Sequence, residues 1–132
     1  MIVQFRNNQD KSDPQHDAVF AEAASLSGLL DNARKRPPFI AELRGDNSFE
    51  LVVGIGGDFG CVEHRRINGD LPYLMAVSRR PPLTNGEIEF LTANTPTPIA
   101  ARYILSFDEL KEIALRFLAT GARSDSVSWE EI

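Results

Sequence analysis

Two segments in the middle of the chain alternate apolar and polar residues with a period of two, and a turn separates them. Phe39, Ala41 and Leu43 fall on one side of an extended chain and Glu42 and Arg44 on the other; after Gly45-Asp46-Asn47, the residues Phe49, Leu51, Val53 and Ile55 repeat the arrangement. Successive side chains of a strand point to opposite faces, so this is the signature of a hairpin with one face in a core. The glycine-rich Gly56-Gly57-Asp58-Phe59-Gly60 turn leads into a further strand through Cys61 to Arg65, and Asn68-Gly69 marks a reversal before Tyr73 to Val77. Asn85-Gly86 precedes a strand from Glu87 to Thr92, a proline-rich link holding Pro96 and Pro98 follows, and Ala100 to Leu105 extends again. Ile2 to Arg6 and Ala18 to Glu22 predict two more strands. The polar stretch between them, Asn7 to Asp17, is expected to be mobile.

A helix is signalled where the last of these strands ends. Ser106-Phe107-Asp108-Glu109 is a capping box, in which a hydroxyl accepts from a free amide of the first turn and a carboxylate three residues on reciprocates. Leu110, Ile113, Ala114, Phe117 and Leu118 then form one apolar stripe, with Lys111, Glu112 and Arg116 on the wet side, until Gly121 stops the helix. Val127 and Trp129 alternate with serines and Glu130 in a short extended tail. Phe117, Leu118, Gly121 and Trp129 are the predicted packing anchors of this end. An earlier helix is predicted from Leu26, Leu29, Leu30 and Ala33, starting at Ser25 or slightly upstream; Gly28 weakens it and Pro37-Pro38 ends it. Arg34, Lys35 and Arg36 are placed to complement the negative end of its dipole.

Strands joined by short turns, with two amphipathic helices, predict an α+β fold. It is a meandering antiparallel sheet of about six to eight strands with both helices on one face. A length of 132 residues fits a single domain over 1–132. No run of apolar residues reaches the roughly 20 needed to cross a bilayer, and a cytoplasmic location is expected. A net charge of −5 disfavours nucleic acid and anionic membranes as partners and favours a basic protein.

Catalytic motifs are scarce. Cys61 is the only cysteine, which excludes an internal disulfide and a thiolate zinc cluster and suggests a small buried hydrophobe. The glycine-rich segment matches neither the dinucleotide fingerprint nor the triphosphate loop with its lysine, so it reads as a hairpin turn. His64 adjoins Glu63, but neighbours on a strand face opposite ways. The alternative reading, a small-ligand or enzymatic domain using Glu63, His64 and the glycine-rich turn, needs a bulge to join them. Neither a cofactor nor a metal is implied. More informative are Asp46, Glu50, Asp58, Glu63 and Asp70, which lie on or beside the central hairpins among Phe59 and Tyr73. Asp58, Phe59, Glu63, Asp70 and Tyr73 are the candidate contacts to a protein partner, the charges raising on-rate and the aromatics anchoring.

The C-terminal portion, Leu105 to Ile132, resembles the signature of the first-numbered Imm family of bacterial immunity proteins from polymorphic toxin systems. The likeness rests on Arg116-Phe117-Leu118-Ala119-Thr120-Gly121 followed by Val127-Ser128-Trp129-Glu130-Glu131. It continues upstream in Leu26-Ser27-Gly28-Leu29-Leu30-Asp31, Pro38-Phe39-Ile40-Ala41-Glu42-Leu43 and Leu51-Val52-Val53-Gly54-Ile55-Gly56. Ser124-Asp125 stands where a proline is common, and Gly28 interrupts the first helix. The resemblance implies an antitoxin that binds a cognate toxin domain and blocks its active site, as a monomer or weak dimer. Some relatives are similar to the immunity partner of a double-stranded DNA cytidine deaminase, so it also implies a toxin of the nucleic-acid deaminase or nuclease type. The family brings no catalytic residue to carry over.

Overall fold

A computed structural model describes all 132 residues, Met1–Ile132, as ten strands, two α-helices and one short 3₁₀ turn. The central hairpin forms as the alternation predicts. Strand β3 (Phe39–Gly45) pairs antiparallel with β4 (Phe49–Gly56), Ala41 opposite Val53 and Leu43 opposite Leu51. A two-residue turn, Gly57-Asp58, carries the chain into β5 (Phe59–Arg66); Gly57 sits at φ 59°, where a side chain would be strained. Strands β1 (Val3–Arg6), β2 (Val19–Phe20), β6 (Leu74–Val77) and β10 (Ser128–Glu131) complete a sheet ordered β10-β6-β5-β4-β3-β1-β2.

Two helices close one face. Helix α1 (Ala23–Ala33) buries Leu26, Leu29, Leu30 and Ala33, and α2 (Phe107–Thr120) buries the stripe from Phe107 through Leu118. Ser106 Oγ accepts from the Glu109 amide and Glu109 accepts from the Ser106 amide, both at 3.1 Å. Gly121 ends the helix at φ 72°. These side chains join Val3, Phe5, Ala41, Leu43, Leu51, Val53, Ile55 and Val62 of the sheet in one apolar cluster of 22 buried residues.

Several local expectations are corrected. The sheet has ten strands rather than six to eight, because the C-terminal tail joins it as β10 and the proline-rich link as β8, while β9 (Leu105–Ser106) is only a short piece that pairs with the start of β5. The proline-rich link is itself strand β8 (Thr95–Ile99), hairpinned with β7 (Ile88–Thr92). Since β8 has no other neighbour, Pro96 and Pro98 cost no ladder bond. Ala100 to Leu105, expected as a strand, is mostly a 3₁₀ turn at Ala101–Tyr103. Asn7 to Asp17 is a tied loop rather than a mobile one. Asn7 and Asp13 are buried and bonded to each other at 2.9 Å, and the Asn7 amide donates to His16 Nδ1. The basic run after α1 does more than face its dipole: Arg34 lies 3.8 Å over the Phe107 ring and bonds Gly57 O and Asp58, while Arg36 pairs with Asp10 and Asp13.

The β7–β8 hairpin crosses to the helix-free face, where Phe90, Cys61, Met75 and Ile104 make a second, small apolar cluster. Gly54 admits it: a Cβ there would meet Cys61 Sγ at 2.5 Å and the Phe90 ring at 3.0 Å. Burial pushes the Cys61 thiol up to about 12, which leaves it protonated and unreactive.

Candidate partner-binding surfaces

Strand register sorts the polar residues of β3, β4 and β5 onto the helix-free face in two rows. One row reads Arg44, Glu50, Arg65; the next reads Glu42, Val52, Glu63. Glu50 is only 1 % exposed although no helix covers it, because the two arginines do: Arg65 Nε donates to its Oε2 at 2.8 Å and Arg44 Nε lies 3.3 Å from Oε1. Arg65 also reaches Glu42 at 3.5 Å and Glu63 at 3.8 Å. Burial works against the Arg65 charge, but the hydrogen bond to Glu50 and the charges of Glu50, Glu63 and Glu42 outweigh it and raise its pKa. Glu63 is raised as well, first by burial and then by Glu50, with Arg65 opposing. The face is therefore a paired lattice rather than a free acidic patch.

A second surface lies on the helix-covered side, at the C-terminal end of α2. There an open groove of about 680 Å³ is walled by Asn47, Phe49, His64, Arg79, Arg123 and Trp129, together with the Gly121–Ser128 connection. Its floor is aromatic. His64 stacks on Phe49 at 4.9 Å and meets Phe117 and Trp129 edge-on, both at 6.2 Å. Trp129 Nε1 donates to Ser124 O at 2.7 Å, which fixes the indole against the connection. Burial, then the charges of Arg123 and Arg66, push the His64 pKa down to about 4, so the ring is neutral at physiological pH.

The family model described as Immunity protein Imm1 matches residues 13–131 of the chain. The chain belongs to that family. No curated protein matches it.

In this immunity protein the sequence-predicted contact residues do not form one patch. Asp58 is at the β4–β5 turn, its side chain 89 % exposed but paired with Arg34 at 3.0 Å. Phe59 beside it packs against the small second cluster. Glu63 lies mid-strand in the charged lattice. Asp70 and Tyr73 sit together on the β5–β6 loop at the other end of β5, with Leu71 68 % exposed between them and the Ile132 amide bonded to Tyr73 O. Strand β5 spans roughly 25 Å, so the two ends are separate surfaces. Glu50, read from sequence as a surface acid, is withdrawn from partners by its arginines. His64 and Glu63 face opposite sides of the sheet and the glycine-rich turn is at the far end of the strand, so the fold does not assemble the three groups of the alternative reading. No three His, Cys, Asp or Glu side chains gather in a way that could hold a metal, and no helix is long and apolar enough to cross a membrane.

Sequence reasoning missed Arg44 and Arg65 as partners of Glu50, although Arg44 and Glu50 flank the hairpin symmetrically and their cross-strand pairing followed from the register. It also missed Arg79 and Arg123, which reach the groove from segments with no periodicity.

Proposed function

We propose that this immunity protein is a stoichiometric inhibitor that binds a cognate toxin domain and occludes its active site. Membership of the immunity family over residues 13–131 carries the proposal. Charge supports a toxin acting on nucleic acid, of the deaminase or nuclease type. Such a domain needs a basic substrate groove, and a protein of net charge −5 is drawn to that groove electrostatically. The end of the sheet that bears Asp46, Asp70, Leu71 and Tyr73 is the contact surface favoured here. It presents carboxylates beside exposed apolar side chains, and the β3–β4 turn and β5–β6 loop are tied together there by Ile67 N donating to Ser48 O at 3.0 Å. In this reading the protein acts in the cytoplasm, as a monomer or weak dimer.

Co-expression with the toxin gene encoded beside it is expected to rescue growth and to give a one-to-one complex on gel filtration. Continued killing with no complex rejects the proposal. Within it, Asp70→Lys combined with Tyr73→Ala is expected to weaken binding about tenfold or more, in part through a slower, less salt-dependent association. Unchanged kinetics at low salt would clear those two positions.

A further inference from the structure

The groove at the end of α2 holds a polar side chain that the fold itself does not satisfy. His64 is 8 % exposed, yet no protein group hydrogen-bonds its ring; its remaining free edge forms part of the groove wall. Phenylalanine would fill the same stack of Phe49, Phe117 and Trp129, whereas the imidazole adds nitrogens that no protein group bonds and that reach the groove. The neutral ring keeps one N–H donor and one acceptor nitrogen for whatever enters.

The charges around it have one dominant sign. Arg79 and Arg123, both exposed, stand in the wall, and the Arg66 guanidinium lies 4.8 Å over the Phe49 ring; Asp125 is the only carboxylate lining the groove. The negative end of the α2 dipole points this way, but Asn47 Nδ2 donates to Gly121 O at 3.1 Å and covers part of it. An otherwise acidic protein thus carries a locally basic, aromatic-floored groove. The walls come from well-separated segments and stay open, which suits a projecting chain segment better than a small molecule that a pocket would enclose.

We infer that the groove recognises an acidic side chain of the toxin domain, an Asp or Glu on a projecting loop. Its carboxylate meets Arg79, Arg123 and the His64 N–H, and its neighbours lie on Phe49 and Trp129. The inference rests on the inhibitor role proposed above and adds a contact of opposite polarity to the basic substrate groove. Two contacts of opposite sign reject partners that carry only one of them.

The test uses the toxin domain encoded beside this gene and calorimetric titration of the intact chain. Arg79→Ala with Arg123→Ala is expected to raise Kd about tenfold or more, and His64→Phe to raise it severalfold, with melting temperatures at neutral pH unlowered. A toxin variant with one surface carboxylate changed to lysine should restore binding to Arg123→Glu. Affinity of the double arginine variant within about twofold of wild type would overturn the groove and leave the inhibitor role standing. No complex with the wild-type chain would remove both. Succinate is the probe for the competing occupant. A Trp129 fluorescence response to it at micromolar concentration, with toxin affinity indifferent to the arginines, would make the groove a small-dicarboxylate site and overturn the inference.

Discussion

The two faces of one sheet are buried by different physics, although alternate residues of the same strands build them. On the helix-covered face, Leu43, Leu51, Val53, Ile55 and Val62 meet Leu110, Ile113 and Phe117, and apolar packing alone closes the core. On the opposite face, beside the small Phe90 cluster, the neighbours of those residues are Glu42, Arg44, Glu50, Glu63 and Arg65, where two guanidiniums and three carboxylates screen each other from water. Hydrocarbon burial is non-directional and tolerates approximate geometry. An ion lattice is directional, and losing one member strands the rest. The helix-covered face should therefore respond to lost volume, and the helix-free face to lost pairing.

The largest effect is expected from Phe117→Ala. Phe117 is fully buried against the sheet, edge-on to the His64 ring, and its removal should cost about 3–5 kcal/mol through lost transfer energy and the cavity left behind. Urea denaturation reads this directly; a loss under ~1.5 kcal/mol would mean that the core collapses around the gap. Next comes Glu50→Ala, which leaves Arg44 and Arg65 crowded together without their shared carboxylate and should cost about 3 kcal/mol. The contrast sharpens with a triple variant, Arg44→Met, Glu50→Leu and Arg65→Met. Replacing the whole lattice by hydrocarbon should bring stability back to within about 1 kcal/mol of wild type or above it. A triple variant as damaged as Glu50→Ala would show that the two faces are not governed by different rules.

The same contrast explains what could be read from sequence. Apolar periodicity reports burial against hydrocarbon, so α2, α1 and the β3–β4 hairpin were visible residue by residue, and the capping box fixed the start of α2. Burial by ion pairing leaves no such trace: Glu50 looks like a solvated acid until the register places Arg44 and Arg65 on either side of it. Nor did Phe90 announce that it crosses the sheet, because the prolines of β8 read as a break when they mark an unpaired edge. The groove was least visible. Asn47, His64, Arg79 and Arg123 converge only once α2 and β10 are docked; in the sequence Asn47 is a turn residue and His64 a neighbour of Glu63, a pairing that the strand geometry forbids. The charged contact residues were legible as types, but their separation to opposite ends of β5 was a matter of turns and strand length.

The smallest expected effects come from acid, and they should differ in sign between the faces. His64, on the helix-covered side, has its pKa lowered to about 4 by burial and then by Arg123 and Arg66, while Arg79 and Asp125 also line its groove. The unfolded chain takes up this proton near pH 6.5, whereas the folded protein resists it until about pH 4. The stability that neutral His64 contributes is complete above the upper value and lost as pH falls between the two, by roughly 2 kcal/mol after allowance for residual solvation at the groove edge. Glu63, on the helix-free side, is shifted upward by burial, so the folded state accepts its proton first and gains stability as pH falls through that raised value. His64→Phe should then flatten the decline in urea midpoint between pH 7 and pH 4.5, and Glu63→Gln should steepen it. Groups common to both variants, such as Asp10 and Glu130, whose pKa values are lowered mainly by hydrogen bonds from Ser12 and Arg102, cancel in the comparison. If both substitutions move the slope the same way, one of the two residues is not in the environment that its face of the sheet gives it.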